Sequence, residues 1–218
     1  MQVKLALPKG RLLPSTNSLL RRSGLELNDY DEQSRSYRPQ CSNFPNLFLK
    51  IFRERDIPIQ VAVGNYDLGI CGLDWIEELL VKYPSSALGK VRNLGYGVSD
   101  LYIASSKLAK VSIDELKAKV ATIRIATEYP NLAESFALKS RLRRFNIFPL
   151  WGAAEVYPPE SADLVLLSQT PDSPFEPELV PLTLILRSSA FLIAHRGSWE
   201  SKDMNFLLHS LYVSIEGQ

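Results

Sequence analysis

Short apolar and β-branched runs alternate with helical patterns from one end of the chain to the other, and that alternation restricts the possible folds most. Residues 3–7, 47–52, 67–71, 91–94 and 101–105 read as strands, with helices expected over 12–23, 57–64 and 73–82. Ser112 and Glu115 form a capping-box pair that predicts a helix over 113–120, and Asn131 with Glu134 predicts another running to about 145. Strands are expected at 122–127, 147–151, 163–167, 182–186 and 190–194, a turn of helix near 153–157 and a closing helix over 199–213. Strand–helix alternation predicts an α/β fold with mostly parallel sheets. The pattern breaks at Gly95 and Gly97, and again in a stretch holding Pro171, Pro174, Pro177 and Pro181. These breaks predict two α/β domains around a central cleft, one formed by residues 1–97 plus 183–218 and the other by 98–182.

Composition removes several function classes. A net charge of +1 gives no global attraction to nucleic acid or to a membrane, so any anion site must be local. The two cysteines, Cys41 and Cys71, have no CxxC partner and do not form a disulfide scaffold. Lys9, Arg11, Arg21 and Arg22 interrupt the N-terminus early, so neither a signal peptide nor a membrane span is expected, and the chain reads as cytoplasmic. His195 and His209 lie far from the strand ends, and no cluster has metal-ligand spacing, so no protein-held metal is expected.

Four segments carry chemistry, each where a strand runs into a helix. Lys9-Gly10-Arg11 combines two cations with a residue that lets backbone approach a phosphate, although a solvated turn would read the same way. Arg53-Glu54-Arg55-Asp56-Ile57-Pro58 precedes Asp67-Leu68-Gly69-Ile70-Cys71-Gly72-Leu73-Asp74, where Gly72 permits close approach and Asp74 is either a ligand contact or a helix cap. Thr127, Tyr129 and Asn131 follow a third strand, offering hydroxyl, amide and backbone donors, with capping as the alternative for Asn131. In Gly152-Ala153-Ala154-Glu155, the carboxylate suits a sugar hydroxyl or a purine amino group, and otherwise is a surface residue.

In order and approximate spacing these segments resemble the ATP phosphoribosyltransferase family. Leu-Ala-Leu-Pro-Lys-Gly-Arg-Leu (5–12), Arg-x-x-Asp-Ile-Pro (53–58), Asp-Leu-Gly-Ile-x-Gly-x-Asp (67–74), Ala-Thr-x-Tyr-Pro-Asn (126–131), Gly-Ala-x-Glu-Val (152–156) and Arg-Ser-Ser-Ala-Phe-Leu-Ile (187–193) carry it over nearly the whole chain. The resemblance implies the first step of histidine biosynthesis, in which N1 of ATP joins the ribose of phosphoribosyl pyrophosphate and pyrophosphate leaves. It also implies substrate-bound Mg2+ and a two-lobed architecture of the type II periplasmic-binding-protein kind. By resemblance Arg11 and then Arg35 stabilise the leaving group, Lys9, Gly10 and Arg53 hold phosphates, and Gly72, Asp74, Thr127, Tyr129, Asn131, Glu155 and Asp163 line the substrates. The length is that of the family's short form, which works with a regulatory subunit resembling histidyl-tRNA synthetase. A hetero-oligomer that also contains a homodimer of this chain is therefore expected.

One loop departs from the pattern. After Ala162-Asp163 and an apolar strand, the family usually has an Asp and a Thr-Gly-x-Thr-Leu loop around the 5-phosphate. Here the chain reads Leu167-Ser168-Gln169-Thr170-Pro171-Asp172-Ser173, without the glycine and with a proline that lacks an amide donor. Either Ser168, Gln169, Thr170 and Ser173 form a divergent phosphate loop in an active transferase, or the chain is a nucleotide-binding, regulatory homologue.

Overall fold

The computed structural model describes residues 2–109 and 111–216. It divides into two units, the first made of Met1–Ile76, Ser85–Gly97 and Ser189–Gln218 and the second of Glu77–Pro84 and Val98–Ser188. The return to the first unit thus falls after Ser188, beyond the proline stretch and later than the expected boundary.

The chain opens with β1 (Val3–Lys9), α1 (Leu13–Arg22), a short hairpin of β2 (Leu27–Asn28) and β3 (Gln40–Cys41), and β4 (Leu47–Arg53). A 3-10 turn at Glu54–Asp56 leads into α2 (Ile57–Ala62), then β5 (Leu68–Gly72), α3 (Leu73–Lys82) and β6 (Leu88–Asn93). The second unit adds β7 (Ser99–Ser106), α4 (Ile113–Ala118), β8 (Ile123–Thr127), α5 (Pro130–Lys139), β9 (Phe145–Pro149), β10 (Leu164–Gln169) and β11 (Leu179–Ser188). The chain closes with β12 (Ala190–His195), α6 (Arg196–Ser201) and α7 (Asn205–Glu216), two helices where one was expected.

Each unit holds one five-stranded sheet, with strand orders β4-β1-β5-β12-β6 and β11-β7-β10-β8-β9. Parallel ladders join β4, β1 and β5 in the first and β10, β8 and β9 in the second. The single reversed strand is β12 in the first sheet and β7 in the second, each antiparallel to both neighbours. Four strands of every five therefore point the same way. In the first unit the apolar face of α1 (Leu19, Leu20) and α7 residues Leu207 and Leu211 join Leu5, Leu7, Leu49, Ile70 and Leu192 in one core. β5 is buried at every position, as a strand covered on both faces must be.

The expected capping box is present, with the Glu115 amide donating to Ser112 Oγ at 3.2 Å and the Ser112 amide to Glu115 Oε2 at 2.7 Å. Asn131 is not a cap. Pro130 opens α5, the preceding Tyr129 makes no side-chain cap bond, and the helix ends at Lys139, well before residue 145.

Candidate active site

Parallel sheets present ligand sites beyond the carboxyl ends of their strands, where the chain turns into the next helix. In the first unit Lys9 and Arg53 end adjacent strands in register, so both cations reach that edge side by side. Gly10 follows at φ +86°, a left-handed turn that a side chain would strain. Lys9 Nζ lies 3.3 Å from the Tyr37 hydroxyl and 4.9 Å from that ring's centroid. A cavity of about 370 Å3 opens here, lined among others by Lys9, Gly10, Arg11, Ser34 and Tyr37. Arg35 is exposed in the loop that supplies Ser34 and Tyr37.

Arg11 is fixed more firmly. Its Nη1 donates to the Gly97 carbonyl at 2.8 Å, and its Nη2 lies 3.5 Å from Glu54 Oε2. Asp74, in the first turn of α3, is 1% exposed. A Cβ at Gly72 would collide with Asp74 Oδ1 and lie 3.6 Å from Arg11 Nη2, so the glycine is what lets carboxylate and guanidinium share its surface. Burial pushes the Glu54 carboxyl up to about 7; Arg11 opposes the shift and Asp74 adds to it. Glu54 was not among the residues expected from the sequence, because a glutamate in an Arg-Glu-Arg-Asp run reads as a solvated charge.

At the carboxyl edge of the second sheet, Thr127 ends β8 and is fully buried. Its hydroxyl donates to the Leu166 carbonyl and accepts from the Tyr129 amide, both at 2.8 Å, so it ties strands and turn together and is not open to a ligand. Tyr129 is 4% exposed. The start of α5, an expected anion site, is filled from within: Glu78 of α3 accepts from the Asn131 and Leu132 amides, each at 2.8 Å, while Asn131 Nδ2 donates to the Glu78 carbonyl at 3.1 Å. Asn131 is thus a helix-anchoring residue. Glu155 stands half-buried in the 3-10 turn Ala154–Val156 beyond β9.

Ser168 and Gln169 belong to β10, pairing with Leu101 and Asp100, so the divergent loop begins only at Thr170. Gln169 Nε2 is turned onto the carbonyls of Thr170 (3.2 Å), Ser173 and Pro174 (3.3 Å), bracing the turn from below. Thr170 is half-buried, and Ser168 and Ser173 are exposed. Asp163 is misplaced as a substrate contact. It precedes β10 at the opposite edge of the sheet, where its carboxylate accepts from the Arg124 amide (2.8 Å) and pairs with Arg124 Nε and Lys119 Nζ, both at 3.2 Å. Those bonds outweigh the upward push of burial and hold its pKa below the usual value.

A family model described as HisG, ATP phosphoribosyltransferase, matches residues 53–217. The ATP phosphoribosyltransferase of Pelotomaculum thermopropionicum is 31% identical over 224 residues, covering all of this chain and 73% of that protein. The chain belongs to the ATP phosphoribosyltransferase family. The Solibacter usitatus member is 29% identical over 226 residues, again with 100% and 73% coverage. A chain of the ATP phosphoribosyl transferase (HisG:HisZ) complex from Thermotoga maritima superposes with a TM-score of 0.77 at 24% identity, covering both chains completely. The alkanesulfonate-binding protein SsuA from Xanthomonas axonopodis is similar in fold at a TM-score of 0.55 and 14% identity, over 98% of this chain and 72% of that one. Phosphoribosyl transfer to ATP, a glycosyltransferase reaction of histidine biosynthesis, is accordingly the activity of this chain. ATP phosphoribosyltransferases use a divalent metal. Among the described residues no three His, Cys, Asp or Glu side chains converge as a metal site, and no helix is long and apolar enough to cross a membrane.

Proposed function

We propose that Arg11 stabilises the pyrophosphate that leaves phosphoribosyl pyrophosphate as N1 of ATP attacks the ribose. The observation that carries this is the anchored guanidinium, held by the Gly97 carbonyl at 2.8 Å with Glu54 beside it at 3.5 Å, at the rim of a cavity flanked by Lys9. As the ribose–oxygen bond breaks, negative charge grows on the departing group, and a cation already in place lowers that barrier without reorganising. Lys9, Arg53 and the Gly10 turn hold phosphate oxygens of the same substrates, with Arg35 as a second cation from its exposed loop. Asp74 contacts a ligand hydroxyl or amino group over Gly72. In the second unit Glu155 does the same, while Ser168, Thr170 and Ser173 face the 5-phosphate and Gln169 braces their turn.

The metal is Mg2+ carried on the substrates' phosphate oxygens, a reading supported by the donor set, since Glu54 and Asp74 share their space with a guanidinium. The end-to-end match to the Thermotoga chain supports the short form and a hetero-oligomer. In it this chain pairs with itself and with a histidyl-tRNA-synthetase-like regulatory subunit. A biosynthetic role with two buried free thiols supports a cytoplasmic location.

Mixing the chain with ATP, Mg2+, phosphoribosyl pyrophosphate and pyrophosphatase, with and without that subunit, tests the reading through product absorbance. Arg11→Ala should lower kcat by about 10²–10³-fold at unchanged fold. Turnover in the variant equal to that of the parent would remove Arg11 from the chemistry.

A further inference from the structure

Glu54 occupies an unusual position for a carboxylate. Its side chain is 11% exposed, and Oε2 is buried without a hydrogen bond of ordinary geometry, its nearest cation being Arg11 Nη2 at 3.5 Å. The ion pair is loose, whereas Arg11 keeps a close bond to the Gly97 carbonyl on its other nitrogen. Arg11 can therefore turn its Nη2 toward a ligand while remaining anchored. Once it does, Glu54 loses the cation that keeps it charged and gains an anion nearby.

We propose that Glu54 is the proton-linked counter-charge of Arg11, holding the guanidinium in the free protein and taking up a proton when a phosphate-class anion engages it. The inference rests on the reading of Arg11 as the pyrophosphate ligand. The proton comes from solvent and is bound by the Glu54 carboxylate, so anion, proton and the Arg11–Glu54 pair go to an Arg11–anion pair and a neutral Glu54. No covalent bond other than that O–H is made or broken.

The groups around Glu54 leave it free to play this part. Arg11 and the Leu12 amide face it from the turn between β1 and α1, Asp74 from α3, Cys71 from β5, and Tyr30 and Tyr96 from loops. Burial pushes Cys71, Tyr30 and Tyr96 well above their usual values, so all three stay neutral through the physiological range. Tyr96 is further tied to Thr16 Oγ1 at 2.8 Å, and the Tyr30 hydroxyl donates to the Pro8 carbonyl at 2.8 Å. Glu54, by contrast, sits near half-protonation at neutral pH. Removing its cationic partner moves it further toward the neutral form.

Calorimetric titration with inorganic pyrophosphate, repeated in buffers of different ionisation enthalpy, counts the protons taken up. At pH 7.5 the parent chain should bind about half a proton more than Glu54→Gln, a variant of nearly identical shape. Equal uptake in the two overturns the proposal, even if Glu54→Gln binds more weakly. Arg11→Ala separates the two claims, since parent-like pyrophosphate affinity in that variant would defeat the reading of Arg11 itself. A measurement on the unmutated chain avoids any folding defect. With carboxyl-13C-glutamate labelling, one resonance should titrate near neutral pH and move its midpoint upward when pyrophosphate is added. A midpoint that ignores pyrophosphate overturns the proposal.

Discussion

Two acidic residues show how different the fate of a buried carboxylate can be. Glu54 is loosely paired and pushed upward, whereas Asp67, 3% exposed, is surrounded by donors: the Lys4 amide at 2.9 Å, Ser198 Oγ at 2.6 Å and Lys202 Nζ at 2.8 Å. Burial alone would raise the Asp67 pKa, but Lys202, Ser198 and the Lys4 amide together lower it. A lowered folded pKa contributes stability above the unfolded value, about 3.9, and that contribution is lost as pH falls through the folded value. Asp67→Asn should therefore cost about 2–3 kcal/mol near neutral pH. The gap to the parent should hold from about pH 5 upward and narrow progressively as pH falls below about 4 toward the lowered folded value, in urea unfolding followed across pH. A gap that did not narrow at all as pH fell below about 4 would show that the ion pair is not what Asp67 contributes. Neither residue was legible by type. Arg11, Lys9 and Gly10 stood out as candidates because they are adjacent in the chain, while Glu54 depends on a meeting of three strand ends.

At the scale of elements, alternation exposed the strands of both sheets because each presents a run of apolar residues. It missed β2 and β3, which have two residues each and too little length for a period. The start of α5 failed for another reason: the group that satisfies its amides comes from Glu78, 53 residues before Asn131, and no local pattern announces it. Helix starts leave amide donors that need an acceptor, and a buried carboxylate supplies one directly. Burial raises the Glu78 pKa, and the Asn131 and Leu132 amides pull it back. Glu78→Ala should cost about 1–3 kcal/mol by chemical denaturation. It should also accelerate amide exchange at Asn131 and Leu132 while leaving α4, with its own capping box, unchanged. Unaltered exchange at those two amides would mean that water replaces the carboxylate at no cost.

At the scale of the whole molecule, the two sheets repeat one design, three parallel strands followed by one reversed and one forward strand, but the chain reaches it differently. All five strands of the second sheet lie within Ser99–Ser188. The first sheet takes β12 from the far end of the chain and inserts it between β5 and β6, with Ala190 opposite Gly72 and His195 opposite Leu88. β12 carries the buried residues Ala190, Leu192, Ile193 and Ala194, and α7 brings Leu207 and Leu211 to the same core. Truncation after Ser188 would leave β5 an open edge, detach β6 and strip one wall of the core. Burying a single Leu or Ile contributes about 1.5–3 kcal/mol, so the loss of several is comparable with the roughly 5–15 kcal/mol that a typical domain has in total. The truncated chain should therefore lose amide protection throughout β1, β4 and β5, while β7, β8 and β10 keep theirs. It should lose pyrophosphate binding at the same time, because Lys9, Arg11 and Gly72 sit on strand ends that no longer have a sheet to hold them. Retained protection in β1 and β5 would show that three parallel strands and α1 suffice, and that β12 serves the site without supporting the fold.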